Sequence, residues 1–141
     1  MDHVVYLDTS AKELENLLTG KKTMVIRGAA GRKTPYGRVN VNDILYFINN
    51  NAEGVIKGRA RVTNVINSDP LTPEAASEMI AIHQNALQLT EGLQKRWQVK
   101  RYLVLIEVAD VQQVNEFQID KSQFGNMDDW LLVEKIDNVK L

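Results

Sequence analysis

Between Ile56 and Thr63 the side chains alternate without a break: Ile56, Gly58, Ala60 and Val62 are apolar or small, and Lys57, Arg59, Arg61 and Thr63 are polar. A period of two is the period of a strand, so this segment is extended, with one face turned to a core and three cations on the other, about 6.6 Å apart. Like charges at that spacing repel unless something negative lies across them. Acids on neighbouring strands can supply it, with Glu107 and Glu116 as candidates for a cross-strand ladder, or the phosphates of a ligand can.

The neighbouring sequence extends this strand into a sheet. Asn49, Asn50, Asn51 and Gly54 tolerate the left-handed conformations of a tight turn, so Asp43 to Asn49 and Val55 to about Asn67 should form an antiparallel hairpin. Thr23 to Arg27 reads as an earlier strand, Arg101 to Val108 as a strongly apolar one and Val114 to Ile119 as a weaker one, with an apolar tail at Trp130 to Val133. Helices are few. Ser10 and Glu13 have the spacing of a capping box ahead of Leu14, Leu17 and Leu18, with Gly20 at the end. Thr72, Pro73 and Glu74 are an N-cap, an N1 proline and a first-turn acid, opening a helix through about Leu87, and Thr90 starts another helical turn. The expected fold is α+β, a single domain over residues 1–141: a small, mixed, mostly antiparallel sheet closed toward a β-barrel, which hides strand edges, with flanking helices and a helical insertion.

Several function classes are excluded or unsupported. The chain has no Cys, hence no thiol nucleophile, zinc ribbon or disulfide framework. No apolar run approaches the roughly 20 residues of a membrane span, and the N-terminus lacks a signal-peptide pattern, so a cytoplasmic protein without membrane association is expected. His3 lies at a terminus expected to fray, and His83 shares an apolar helical stripe with Met79, Ile80 and Leu87, so no metal or other cofactor is expected. Asp128 and Asp129 read as a solvated turn before Trp130, and Trp97 and Trp130 as core anchors.

Charge distribution is more informative than the net charge of -1. Residues 20 to 61 hold nine basic side chains against two acidic ones, and the flanks are acidic. Within that window the loop from Gly28 to Arg38 gathers Arg32, Lys33 and Arg38 around Tyr36. Arg and Lys neutralise phosphates, glycine exposes backbone N–H groups and tyrosine stacks on a base. The same loop also reads as a surface segment whose cations are only solvated. Its glycines fit neither the dinucleotide fingerprint nor a P-loop.

The run Gly20-Lys21-Lys22-Thr23-Met24-Val25-Ile26-Arg27 resembles the Gly-x-Lys-x-x-Glu-x-Arg signature of the ASCH domain, a branch of the PUA-like superfamily. Gly20, Lys22 and Arg27 match, and Val25 stands at the acidic position. The order of elements that follows is also similar to the ASCH layout. The resemblance implies a small β-barrel with a cleft for RNA or a modified nucleotide, with Lys22 and Arg27 as cleft residues. Some small ASCH relatives are amidohydrolases on an acylated cytidine, using the motif lysine, a threonine where Val25 stands and a later glutamate. Val25 offers neither hydroxyl nor carboxyl, so no catalytic residue is assigned. The expected function is an RNA- or nucleotide-binding module using Lys22, Arg27, Arg32, Lys33, Tyr36, Arg38, Lys57, Arg59 and Arg61. The alternatives are a hydrolase on a modified nucleoside or RNA, in which Lys22 is the activated group, and a module docking an acidic protein. Oligomeric state is left open.

Overall fold

A computed structural model describes residues 1–141. Strand β1 (Asp2–Leu7) and helix α1 (Glu13–Leu18) lead into β2 (Met24–Ala29). After the basic loop come β3 (Ile44–Asn49) and β4 (Val55–Asn67), then the insertion of α2 (Pro73–Ile82), α3 (Gln84–Leu87) and α4 (Glu91–Gln98). The chain finishes with β5 (Tyr102–Gln118), β6 (Trp130–Glu134) and a 3-10 turn at Ile136–Asn138. No helix is long and apolar enough to cross a membrane.

One six-stranded sheet takes the order β2-β5-β4-β3-β1-β6. Every pairing is antiparallel except β1 with β3, which run parallel with Val5 opposite Phe47. The expected hairpin between β3 and β4 is present, with Ala52 and Gly54 at positive φ in its turn. The sheet curls into a half-barrel, with β2 and β6 as its two free edges.

Burial on both faces of the sheet explains the composition of its strands. Val5, Leu7, Val25, Phe47, Val62, Val104 and Ile106 fill the inside of the curl with Leu17 and Trp130. The alternate positions Met24, Ile26, Leu103 and Leu105 face outward, where Ile80, Leu87 and Trp97 of the insertion cover them. The unbroken apolar run Leu103 to Ile106 therefore serves two cores at once. A third cluster packs Val4, Ile48, Ile56, Leu131 and Val133 under Val139 near the C-terminus.

The structure corrects four local expectations. The segments Arg101 to Val108 and Val114 to Ile119 are not separate strands but parts of the 17-residue β5. Its register against β4 shifts three times, and between the pairs Arg59–Gln112 and Arg61–Ala109 it carries an extra residue, with Asp110 at φ 55. Such bulges bend a strand without ending it, and they produce the curl. The Ser10–Glu13 capping box does not form. The N-cap position is Lys12, in the left-handed region without a side-chain cap, while Ser10 donates to Asp8 and Glu13 accepts the Asp8 N–H. His3 does not fray but is fully buried within β1, a strand that the sequence reading passed over. The helix opened by Thr72 ends at Ile82, and residues 84–87 form a separate turn. Thr72 and Thr90 do cap their helices, accepting from the N–H groups of Ala75 and Leu93.

Gly28 sits where β2 packs tightly against Leu103 of its partner strand β5 and against Lys100, just after α4. A Cβ there meets Leu103 Cδ2 at 2.8 Å and Lys100 Cβ at 3.0 Å. Overpacking of that kind costs about 1–3 kcal/mol. Gly28→Ala is therefore expected to lower the thermal midpoint by several degrees in a calorimetric scan. An unchanged midpoint shows that Gly28 is not packed this closely against Leu103 and Lys100.

Candidate phosphate-binding cavity at the sheet seam

Arg27 stands on edge strand β2, and its guanidinium crosses to the opposite edge of the sheet. Only 7% of the residue is exposed. Nη1 donates to the carbonyl of Ile26 at 2.8 Å and Nη2 to that of Tyr6 on β1. The guanidinium carbon lies 5.6 Å from the centre of the Trp130 ring on β6. Nε lies 3.2 Å from Asp129 Oδ2, an ion-pair distance, yet its N–H has no hydrogen-bond acceptor and is shut off from solvent. Of the three guanidinium nitrogens of this buried cation, Nε alone is thus left without an acceptor.

Trp130 is fixed from its other side. Its indole N–H donates to His3 Nδ1 at 3.0 Å, and His3 Nε2 is 2.8 Å from Asp43 Oδ2. Because Nδ1 accepts, the ring proton sits on Nε2, which donates to the carboxylate. His3 is therefore neutral, and protonating Nδ1 would set two N–H groups against each other. Burial pushes the imidazole below its ordinary value, outweighing the pull of Asp43. Burial opposes ionisation of Asp43, but hydrogen bonds from His3 and the Asn40 N–H hold it below the usual carboxylate range. The N-terminal ammonium is 3.3 Å from the same carboxylate.

The space in front of Arg27 is a cavity of about 240 Å³, bordered by Arg27, Lys33, Thr34, Arg96, Lys100 and Asp129. A second cavity of about 250 Å³ shares Lys33, Thr34 and Asp129 with it and runs along Trp130. The basic loop brings Lys33 from one side, and α4 with the residues after it brings Arg96 and Lys100 from the other. Asp129 is the single carboxylate on the first cavity. Lys33, Arg96 and Lys100 form no ion pair, and Arg96 stacks 4.7 Å over the Trp97 ring.

The structure gathers some of the sequence-derived residues here and places others elsewhere. Arg27 and Lys33 meet at the cavity. Lys22 does not line it: with 1% exposure, its ammonium donates to the Leu87 carbonyl and pairs with Glu13 at 3.5 Å. Burial lowers its pKa against the opposing pull of Glu13. Tyr36 borders the inner end of the seam beside Arg27, but its hydroxyl is held by the Ser68 carbonyl at 2.6 Å and its ring packs edge-on against Tyr102. Arg32 lies over both rings, 5.6 Å from Tyr36 and 5.7 Å from Tyr102, and Arg38 is exposed without an ion pair. On β4, Lys57 pairs with Glu53 and Arg61 with Asp110, while Arg59 covers Tyr46. The partners are thus not Glu107 and Glu116, and Glu107 instead accepts from Thr63. Arg96, Lys100 and the role of Asp129 were missed. The cluster Lys95, Arg96, Lys100 and Arg101 was the available signal, outside the basic window of residues 20 to 61.

No family model matches the sequence, and no curated protein matches it. Solved structures do. The ASCH protein from Zymomonas mobilis superposes with a TM-score of 0.67 over 97% of this chain and 92% of that one, at 15% identity. A tyrosine-to-phenylalanine mutant of it gives 0.68 over 93% and 89% at 14% identity. A serine-to-alanine mutant gives 0.68 over 93% and 87% at 13% identity. The chain has the ASCH-domain fold, a small α+β PUA-like architecture.

The His3 network makes stability depend on pH. Below the ordinary histidine value of about 6.5 the unfolded chain takes up a proton that the folded chain refuses, so stability falls as pH falls through this range. His3→Gln is expected to flatten the fall between about pH 6.5 and 5 in thermal melts. An equal slope in both proteins shows that His3 is not held neutral.

Proposed function

We propose that this protein is an RNA- or nucleotide-binding module that seats a phosphate group in the cavity between Arg27, Lys33, Arg96 and Lys100. The observation that carries the reading is the buried Arg27 with its unused Nε–H. A desolvated guanidinium with a free donor binds an anion more strongly than an exposed cation, and the Nε–H is the donor offered to a phosphate oxygen. Lys33, Arg96 and Lys100 add positive charge that no internal carboxylate takes up. Asp129 occupies the place of the anion, and a phosphate enters by displacing it.

Arg32 and Arg38 extend the positive surface beyond the cavity, giving a polyanion a continuation along the loop. The strand cations Lys57 and Arg61 are engaged by Glu53 and Asp110, so the reading rests on the Arg27 side. Binding is favoured over hydrolysis by where the motif residues lie. Val25 is sealed in the core, and the Lys22 ammonium is enclosed by Leu87 and Glu13.

Two measurements test this reading. Phosphate contacts release counterions, with a slope of about 0.7 per contact on a single strand. Arg32→Ala combined with Lys33→Ala is expected to weaken binding of single-stranded RNA and to flatten the salt dependence by between about 0.7 and 1.4 units. An unchanged slope removes the loop from the interface. Asp129→Asn, which removes the competing charge, is expected to raise affinity for inorganic phosphate and RNA several-fold in calorimetric titrations. A loss of affinity shows that Asp129 is not the displaced group.

A further inference from the structure

On the other side of Asp129 a groove of about 510 Å³ is bordered by Tyr6, Asn49, Asn50, Lys121, Asn126 and Asp129. We propose that this groove is a nucleobase site, so that the ligand straddles Asp129 with its phosphate at Arg27 and its base against Tyr6 and the asparagines. This rests on the phosphate reading of the neighbouring cavity and adds the part of the ligand that the groove selects.

The groove differs in chemistry from the cavity beside it. The side-chain amides of Asn49 and Asn126 make no hydrogen bond within the protein, and neither does the Tyr6 hydroxyl. Asn50 Oδ1 accepts from both the N–H and the hydroxyl of Thr9, at 3.0 and 2.8 Å, which fixes the orientation of its amide and leaves the NH₂ free to donate. Uncharged donors and acceptors thus border one space together with Lys121, whose ammonium is held by two carbonyls, and the carboxylates of Asp128 and Asp129. That arrangement matches an uncharged planar group carrying its own donors and acceptors, whereas a free anion is better served at the four cations next door.

Lys121 holds the far wall in place. Its ammonium donates to the carbonyls of Asn126 and Asp128, at 3.3 and 3.0 Å, and lies 4.5 Å from the centre of the Tyr6 ring. It has no carboxylate partner. One side chain thereby pins the segment before β6 onto β1. Met127, 91% exposed, borders both this groove and the Arg27 cavity and supplies a polarizable apolar surface for a ring.

The groove and the cavity also share bordering residues. A smaller space of about 100 Å³ is bordered by Tyr6, Asn50 and Asp129 from the groove and by Arg27 and Arg96 from the phosphate side, with Asp8 and Glu13 on its inner wall. The proposed nucleotide lies across these shared borders. The volume lies in the range of small-molecule sites.

The test compares inorganic phosphate, ribose 5-phosphate, the four ribonucleosides and the four nucleoside 5′-monophosphates by calorimetry and amide chemical-shift mapping. At least one monophosphate is expected to bind about tenfold more tightly than ribose 5-phosphate, the gain expected of one or two good hydrogen bonds plus stacking. Asn49→Ala and Asn126→Ala are expected to erase that gain while leaving ribose 5-phosphate affinity unchanged. Arg96→Ala is expected to weaken both compounds. If ribose 5-phosphate binds as tightly as every monophosphate, the base site is overturned and the phosphate reading stands. If nucleosides bind through Asn49 and neither phosphate compound gains over them, the phosphate reading fails and the base site remains. Equal weakening of all ligands by Asn49→Ala overturns the proposal by showing a general structural role.

Discussion

The half-barrel depends on how its seam is closed. Six strands curl until β2 and β6 face each other without pairing, and exposed backbone edges invite unwanted pairing. Arg27 spans that seam with one side chain, holding the Tyr6 carbonyl, the Trp130 ring and the Asp129 carboxylate from a position on β2. A backbone ladder would have sealed the edge completely. A guanidinium closes it while leaving a charged, incompletely satisfied group at the bottom of a cavity. On the proposed function, closure and anion recognition therefore share one residue, and neither can be altered independently of the other.

Buried polar pairs do similar work elsewhere, each joining segments far apart in the chain. His3 and Asp43 bind β1 to the start of β3 and orient Trp130. Lys22 and Glu13 join the chain before β2 to α1, and the Leu87 carbonyl brings in the insertion. Removing an ion from water costs several kcal/mol, so such pairs stabilise only when hydrogen bonds complete them. Their geometric demands fix how the curled sheet meets its helices, which apolar contacts alone leave free to slide.

Elements governed by local chemistry were legible in the sequence. The asparagine-rich turn gave the β3–β4 hairpin, and Thr72 with Pro73 gave the start of α2, because turn and cap geometry are satisfied within a few residues. The capping box failed because Asp8 takes both of its ends: the Asp8 carbonyl accepts the Glu13 N–H, the Asp8 N–H donates to the Glu13 carboxylate, and the Asp8 carboxylate holds the Ser10 hydroxyl as a donor. The unity of β5 was hidden because a bulge at Asp110 resembles a break in a one-dimensional reading. His3 gave no local sign of burial, since its partners lie 40 and 127 residues away.

The same distinction governs the site. Alternation along β4 correctly puts Lys57, Arg59 and Arg61 on one face, yet their surroundings come from Glu53, Asp110 and Tyr46, which periodicity does not specify. Arg27 and Lys33 were visible as basic residues, but their convergence with Arg96 and Lys100 arises only when the insertion folds back over β2. A row of cations on an open strand face is readily neutralised by whatever acid a neighbouring strand presents. A cation buried at a seam can meet only the groups that the fold delivers, and here the fold delivers one carboxylate, on Asp129, in poor hydrogen-bonding geometry. Burial and unmet hydrogen-bonding capacity, more than the density of charge along the chain, therefore separate the position proposed to receive an anion from the merely basic ones.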